Sequence, residues 1–178
     1  MSDETTTVEE TPPVGPERPL PEYPVLRALF EDFETVGWVR SLGQDVAQVP
    51  NEAWAGFAHA VRDAGFEVCV DVTVVDWMRE RPERFEIVAN LLSMAHKLRL
   101  RMTTTAGRVD PSVASLVPIW PGVNFAEREA YDMFGVTFEG HPDLTRILMP
   151  DDWEGHPLRK DFGVGSVPVQ FKESHQVS

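Results

Sequence analysis

The sequence predicts an α+β domain: two layers, with two helices on a mixed, largely antiparallel sheet, followed by an extended C-terminal arm. Three observations lead there. Two segments near the start carry apolar residues at helical spacing, several segments after them alternate with period two, and the last third is dense in proline, glycine and charge.

The elements follow in order. Residues 1–23 read as a disordered acidic lead, because residues 1–24 hold six acids and six prolines and offer little apolar surface to offset the entropy of ordering. The first helix starts near Pro24, a suitable first-turn residue, with Val25, Leu26, Leu29, Phe30 and Phe33 on one side. Trp38 and Val39, then Asp45 to Val49, read as two short strands around Gly43. Asn51 is a candidate cap for a second helix with the stripe Trp54, Phe57, Ala58, Val61 and Ala64, ended by Gly65. Three strands come next. Phe66 to Val75 places Val68, Val70, Val72 and Val74 on one face; Arg84 to Ser93 does so with Phe85, Ile87, Ala89 and Leu91; Lys97 to Thr103 alternates Leu98, Leu100 and Met102 with Lys97, Arg99 and Arg101. The domain is expected to span residues 24–120.

Residues 121–162 differ in kind. Asn124 followed by Glu127 fits a helix N-cap with its capping carboxylate, and a short helix is expected from Phe125 to Phe134, stopped by Gly135. On it, Arg128 and Asp132 are four apart and suited to pairing. Beyond it, Glu-Gly-His-Pro occurs twice, at 139–142 and 154–157, each a predicted turn. The stretch has too few contiguous apolar residues for a core of its own, and reads as an arm laid on another surface. Residues 163–178 form a tail able to extend along a neighbour.

Composition narrows the function. Sixteen basic residues against 29 acidic ones leave a net charge of −13, which disfavours nucleic acid and anionic membrane surfaces as direct partners. No apolar run approaches the roughly 20 residues of a spanning helix, and Met1 to Glu10 does not read as a signal peptide. A single cysteine, Cys69, cannot by itself close an internal disulfide or hold an iron–sulfur cluster, and its strand makes it a small core residue; the chain reads as reduced and cytoplasmic.

Several chemical constellations compete with plainer readings. Glu127, Glu129 and Asp132 could form an acid–base pair, but carboxylates on adjacent turns are more often solvated or salt-bridged. His141 and His156, with Asp143, could bind a metal, but their spacing is not that of a common zinc pair, and turn histidines bonded to backbone are favoured. Lys97, Arg99, Arg101 and Arg108 lie in an acid-free stretch from Ile87 to Val109. It suits a solvated strand face or an acidic partner subunit better than other anionic material. No phosphate loop, nucleophile elbow or Cys-x-x-Cys is present.

From Glu127-Arg-Glu-Ala-Tyr-Asp-Met-Phe-Gly135 onward the sequence resembles the C subunit of the proton-translocating NADH–quinone oxidoreductase, respiratory complex I. The matching residues are Glu127, Arg128, Glu129, Asp132, Met133, Phe134 and His141, then Pro142, Arg146-Ile147-Leu148, and Glu154-Gly-His156-Pro157-Leu-Arg159-Lys160-Asp161. Trp120 to Asn124 and Asp71 to Asp76 match as well, so the likeness covers roughly residues 24–165. Thr145 departs from it, standing where members usually carry an arginine. The resemblance implies a non-catalytic scaffolding chain of the peripheral arm, peripheral on the cytoplasmic side of the inner membrane. It implies no cofactor, metal or catalytic residue on this chain, with FMN and iron–sulfur clusters on other subunits, and contacts with the D, B and I subunits. On physical grounds the arm after Pro118 is then expected to wrap the D subunit and set Arg128, Arg146, Arg159 and Lys160 against acidic or carbonyl groups of partners. The equivalent subunit of a related quinone-coupled dehydrogenase or membrane-bound hydrogenase is the alternative, and a free-standing carboxylate-dependent enzyme is the alternative of another class.

Overall fold

A computed structural model describes residues 20–163. The elements are α1 (Pro24–Asp32), β1 (Gly37–Ser41), β2 (Gln44–Gln48), α2 (Trp54–Asp63), β3 (Val68–Asp76), β4 (Phe85–Ser93), β5 (Leu98–Ala106), β6 (Ser112–Ala114), α3 (Asn124–Phe134) and β7 (Thr137–Glu139). β1 to β5 form one sheet in the order β1-β2-β5-β4-β3, antiparallel except for the β2–β5 pair. The α+β architecture expected from the sequence is the one observed, and the short helix expected at the start of the arm, α3, packs into the domain with the other two. No described helix is long and apolar enough to cross a membrane.

Local chemistry explains the elements. Leu42 and Gly43 both take positive φ, 50° and 78°, which is the geometry of a two-residue turn matching the twist of the β1–β2 hairpin. Across the sheet, Trp38, Ala47, Met102, Ala89 and Val72 stand in one register row. All of these but Trp38 are buried, and they share one core with Leu26 and Phe30 of α1, Trp54, Phe57 and Val61 of α2, and Ala130 of α3. The opposite row, Val39, Val46, Arg101, Asn90 and Asp71, faces away from that core.

Four expectations need correction. The four valines of β3 do not share a face: a bulge between Cys69 and Asp71 leaves Val70 without a partner, so Val72 and Val74 point inward while Val68 and Val70 are exposed. Cys69 is accordingly only half-buried. Asn51 caps nothing; its side-chain amide donates to the carbonyl of Ser112 at 2.8 Å and reaches that of Thr105, tying the start of α2 to two other segments. The core does not close at residue 120. Val123, Ala130, Val136 and Phe138 belong to it, and Val113 on β6 pairs in parallel with Phe138 on β7. Finally, order begins before Pro24, since Pro21 is buried and Leu20 packs against the core. The rest of the acidic lead, residues 1–19, and the tail after Gly163 lie outside the described residues.

Phe57 is fully buried and touches both Phe30 and Phe33, with ring centroids 5.7 and 5.2 Å away. Phe57→Ala is expected to lower stability by about 3–5 kcal/mol. The denaturant midpoint should fall while the slope of the transition stays unchanged.

Candidate functional site

The residues singled out in the sequence gather around α3, whose backbone explains why. The last four carbonyls of a helix lack intrahelical partners and must find others. Gly135, at φ 70°, folds back so that its N–H donates to the Tyr131 carbonyl. The next three are satisfied by the arm. His156 Nδ1 donates to the Asp132 carbonyl at 2.9 Å, the Leu158 N–H to that of Met133 at 3.1 Å, and Arg159 Nε to that of Phe134. Arg159 also reaches the Gly135 carbonyl, placing a cation at the negative end of the helix dipole. A Cβ on Gly135 would collide with His156 and Arg159. The glycine is thus required both by its backbone and by the close approach of the arm.

The Asp132 side chain fastens the preceding turn. It is fully buried and accepts from the N–H groups of Ile147, Leu148 and Met149 at 3.0, 2.8 and 2.9 Å, and from Arg146 Nη1 at 2.6 Å. Burial alone would raise its pKa, but these four donors outweigh it and hold the carboxyl below its ordinary value. The predicted Arg128–Asp132 pair does not form. Arg128 instead donates to the carbonyls of Thr145 and Arg146 and to the Thr145 hydroxyl. Thr145, the position departing from the resemblance, therefore contacts a cation.

A second anchor lies at the end of the sheet. Asp76 follows Val72 and Val74 in phase, so its carboxylate points into the protein. There it accepts from Arg84 Nε and Nη2 at 2.9 and 2.7 Å and from the N–H groups of Met78 and Lys160, both at 2.8 Å. Arg84 is nearly fully buried, and it also grips Asp161 at 2.8 and 2.6 Å. Burial opposes ionisation of Asp76, yet Arg84 and the two amides bring its pKa down to about 2. The hydrogen bonds that Arg84 donates to Asp76 and Asp161 raise its own pKa. The Lys160 ammonium only approaches exposed Glu80, at 3.7 Å.

Glu127 behaves differently. Rather than capping its own helix, it is fully buried and accepts from Ser115 Oγ and the Leu116 N–H, each at 2.6 Å. Burial dominates and pushes its pKa up to about 7, because these two dipoles offset desolvation less than a cation would. Glu129 is exposed on another side of the helix. The three carboxylates considered as an acid–base group thus point to three separate surroundings. His141 keeps its backbone role: its Nδ1 accepts from the Asp143 N–H at 3.0 Å, and its Nε2 meets the Asn124 carbonyl at 3.4 Å. Pro142 is exposed and Pro157 half-buried at the two turns. Sequence reasoning missed Arg84 and Ser115. The signal for Arg84 was available: an aspartate in phase with buried valines needs a buried cation.

Asp132→Asn should leave the helix formed while reducing exchange protection at the amides of 147–149 at least about tenfold, since a charge-assisted bond is worth roughly 1.5–3 kcal/mol. Amides of β4 and β5 should not change. Two pH effects of opposite sign are expected. The stabilisation from Asp76 is complete above its ordinary value of 3.8 and is lost as pH falls toward 2. That from Glu127 is complete below its ordinary value of 4.5 and is lost as pH rises through about 7. Glu127→Gln should flatten the stability profile between the ordinary value of 4.5 and about 7 and leave the acid limb intact, as read by denaturation at each pH.

Comparison with known proteins fits this arrangement. The family described as the respiratory-chain NADH dehydrogenase 30 Kd subunit matches residues 47–167. The chain is 50% identical over 107 residues to the NADH-quinone oxidoreductase C subunit of Saccharopolyspora erythraea, covering 60% of this chain and 43% of that relative. It is 42% identical over 156 residues to the protein of the same name from Bordetella petrii, covering 76% of this chain and 75% of that one. The chain thus spans less than half the length of several curated relatives it matches. Among solved structures, a trypsin-resistant fragment (1-134) of Nqo5 superposes with a TM-score of 0.62 at 29% identity, over 67% of this chain and 99% of the fragment. A chain of an archaeal membrane-bound sulfane sulfur reductase shares the fold, with a TM-score of 0.70 at 23% identity over 86% of this chain and 96% of that one. With two thirds of its length matched, the chain belongs to the family of the respiratory-chain NADH dehydrogenase 30 Kd subunit.

Proposed function

We propose that this chain is a non-catalytic structural and assembly subunit in the peripheral arm of an NADH–quinone oxidoreductase. In that role it supports NADH-to-quinone electron transfer coupled to proton translocation. It sits on the cytoplasmic side of the membrane beside the D, B and I subunits, and FMN and the iron–sulfur clusters are carried by other subunits. The observation that carries this reading is the 42% identity to the Bordetella petrii relative, over 75% of that protein's length.

The site supports holding rather than turnover. The carboxylates of Asp76 and Asp132 are surrounded by donors, which keeps them ionised and unavailable as proton acceptors. Glu127 titrates near neutrality but is sealed from solvent and bonded to its own chain. A free-standing carboxylate enzyme would need these groups converging on a cleft, and they diverge.

Tagged chain purified from its native membranes should bring down an assembly containing flavin and iron–sulfur absorbance, while the chain alone should not oxidise NADH with a quinone acceptor. A chain that purifies alone, or that turns over by itself, overturns the proposal. Asp132→Ala removes one member of a largely buried pair, at a cost on the order of 3–5 kcal/mol. It should lower the amount of assembled complex on native gels while preserving turnover per complex.

A further inference from the structure

The arginines of the arm have acceptors within the chain; those of the open sheet face have no ion pair among the described residues. Arg84, Arg128, Arg146 and Arg159 each donate to acceptors on this chain. Arg99 and Arg101 stand in the middle strand, on the face opposite the helices, and neither forms an ion pair among the described residues. Arg101 Nε donates to Asn90 Oδ1 at 3.2 Å, which steadies the side chain while its terminal nitrogens stay clear of any carboxylate among the described residues. The row adjacent to Arg101 is neutral: Gln48, Thr103, Val88 and Thr73. Two shallow hollows of about 340 and 280 Å³ share Arg101. The acids on this face are few. Asp71 lines one hollow without an ion pair among the described residues, and Glu86 is already engaged by Trp77 and Arg81.

We propose that this face, centred on Arg99 and Arg101, is the docking surface for an acidic protein surface of a partner subunit. The inference rests on the assembly role proposed above and names the chemistry of one partner. Guanidinium forks held by a sheet suit carboxylates in bidentate geometry. A chain carrying −13 overall repels any anion at longer range, and a densely charged nucleic acid or anionic bilayer more strongly than a folded surface bearing a few carboxylates. Apart from Asp71, the positions in register with Arg101 on this face are neutral, which permits close approach of a partner's carboxylates to the two guanidiniums.

The test uses the assembled complex. A photo-crosslinking amino acid in place of Gln48, which is exposed and borders the same hollow as Arg101, is activated in the complex purified from native membranes. The expected result is an adduct to one subunit through a peptide with a surplus of Asp and Glu. Its yield should fall at least tenfold with Arg99→Glu/Arg101→Glu, but not with Arg62→Glu on α2. An intact complex with no adduct at Gln48 overturns this inference alone. So does an adduct to a neutral or basic peptide, to lipid, to nucleic acid or to residues 1–19 of the same chain, and so does a yield indifferent to the double reversal. A chain that purifies without any partner overturns both this inference and the assembly role.

Discussion

The structure of the C-terminal third depends on how the end of α3 is satisfied. A helix end buried against a sheet cannot leave its carbonyls to water, and its last turn also carries a fully buried aspartate side chain. The chain resolves both needs with one segment: residues 146–149 supply donors to the carboxylate, and residues 156–159 supply them to the carbonyls. The arm is therefore a cap made of backbone and charged side chains. It is polar because its work is hydrogen bonding, and it is ordered without a hydrophobic core of its own. A segment too polar to fold over itself was expected to be moulded by neighbouring proteins; in the structure its partner is the chain's own helix.

The buried carboxylates show how donor type sets protonation. Asp76 and Asp132 each meet two or more N–H groups and a guanidinium, and both stay ionised below their ordinary range. Glu127 meets one hydroxyl and one N–H and no cation among the described residues, and burial carries its pKa to about 7. Desolvation pushes the Cys69 thiol up to about 12, with the negative charges of Asp71 and then Glu127 adding to it. The two groups of carboxylates therefore pull on stability from opposite ends of the pH scale. Near neutrality the fold keeps the full benefit of the Asp anchors while Glu127 is in mid-titration.

Much of this was legible in the sequence because burial imposes period. Phe85, Ile87, Ala89 and Leu91 read as an inward face and are one, as are Leu100 and Met102. Where the reading failed, a long-range demand had overridden a local one. Asn51 and Glu127 have the residue types of helix caps, yet each bonds a segment outside its own helix. The β3 bulge inverts the phase of Val68 and Val70, and nothing in a run of alternating valines announces it. The parallel pairing of β6 with β7 joins two three-residue strands across the whole of α3, too short for periodicity to register. The arm was the hardest case. Its charged residues stand out in the sequence, but a donor's choice between its own chain and a partner depends on which carbonyls a helix end leaves bare.

Hydrogen-bond satisfaction also divides the molecule into a braced side and an offered side. Cations consumed within the chain contribute little to recognition, since leaving their partners would expose buried charge. The arginines on the open face carry no such obligation, and the sheet beneath them fixes their backbone positions. Binding there loses less conformational freedom than binding through a loop would, so a modest number of ion pairs can yield specific association. For an assembly subunit the two sides are complementary: the arm sets the shape of the scaffold, and a rigid face with unneutralised charge is left to meet another protein.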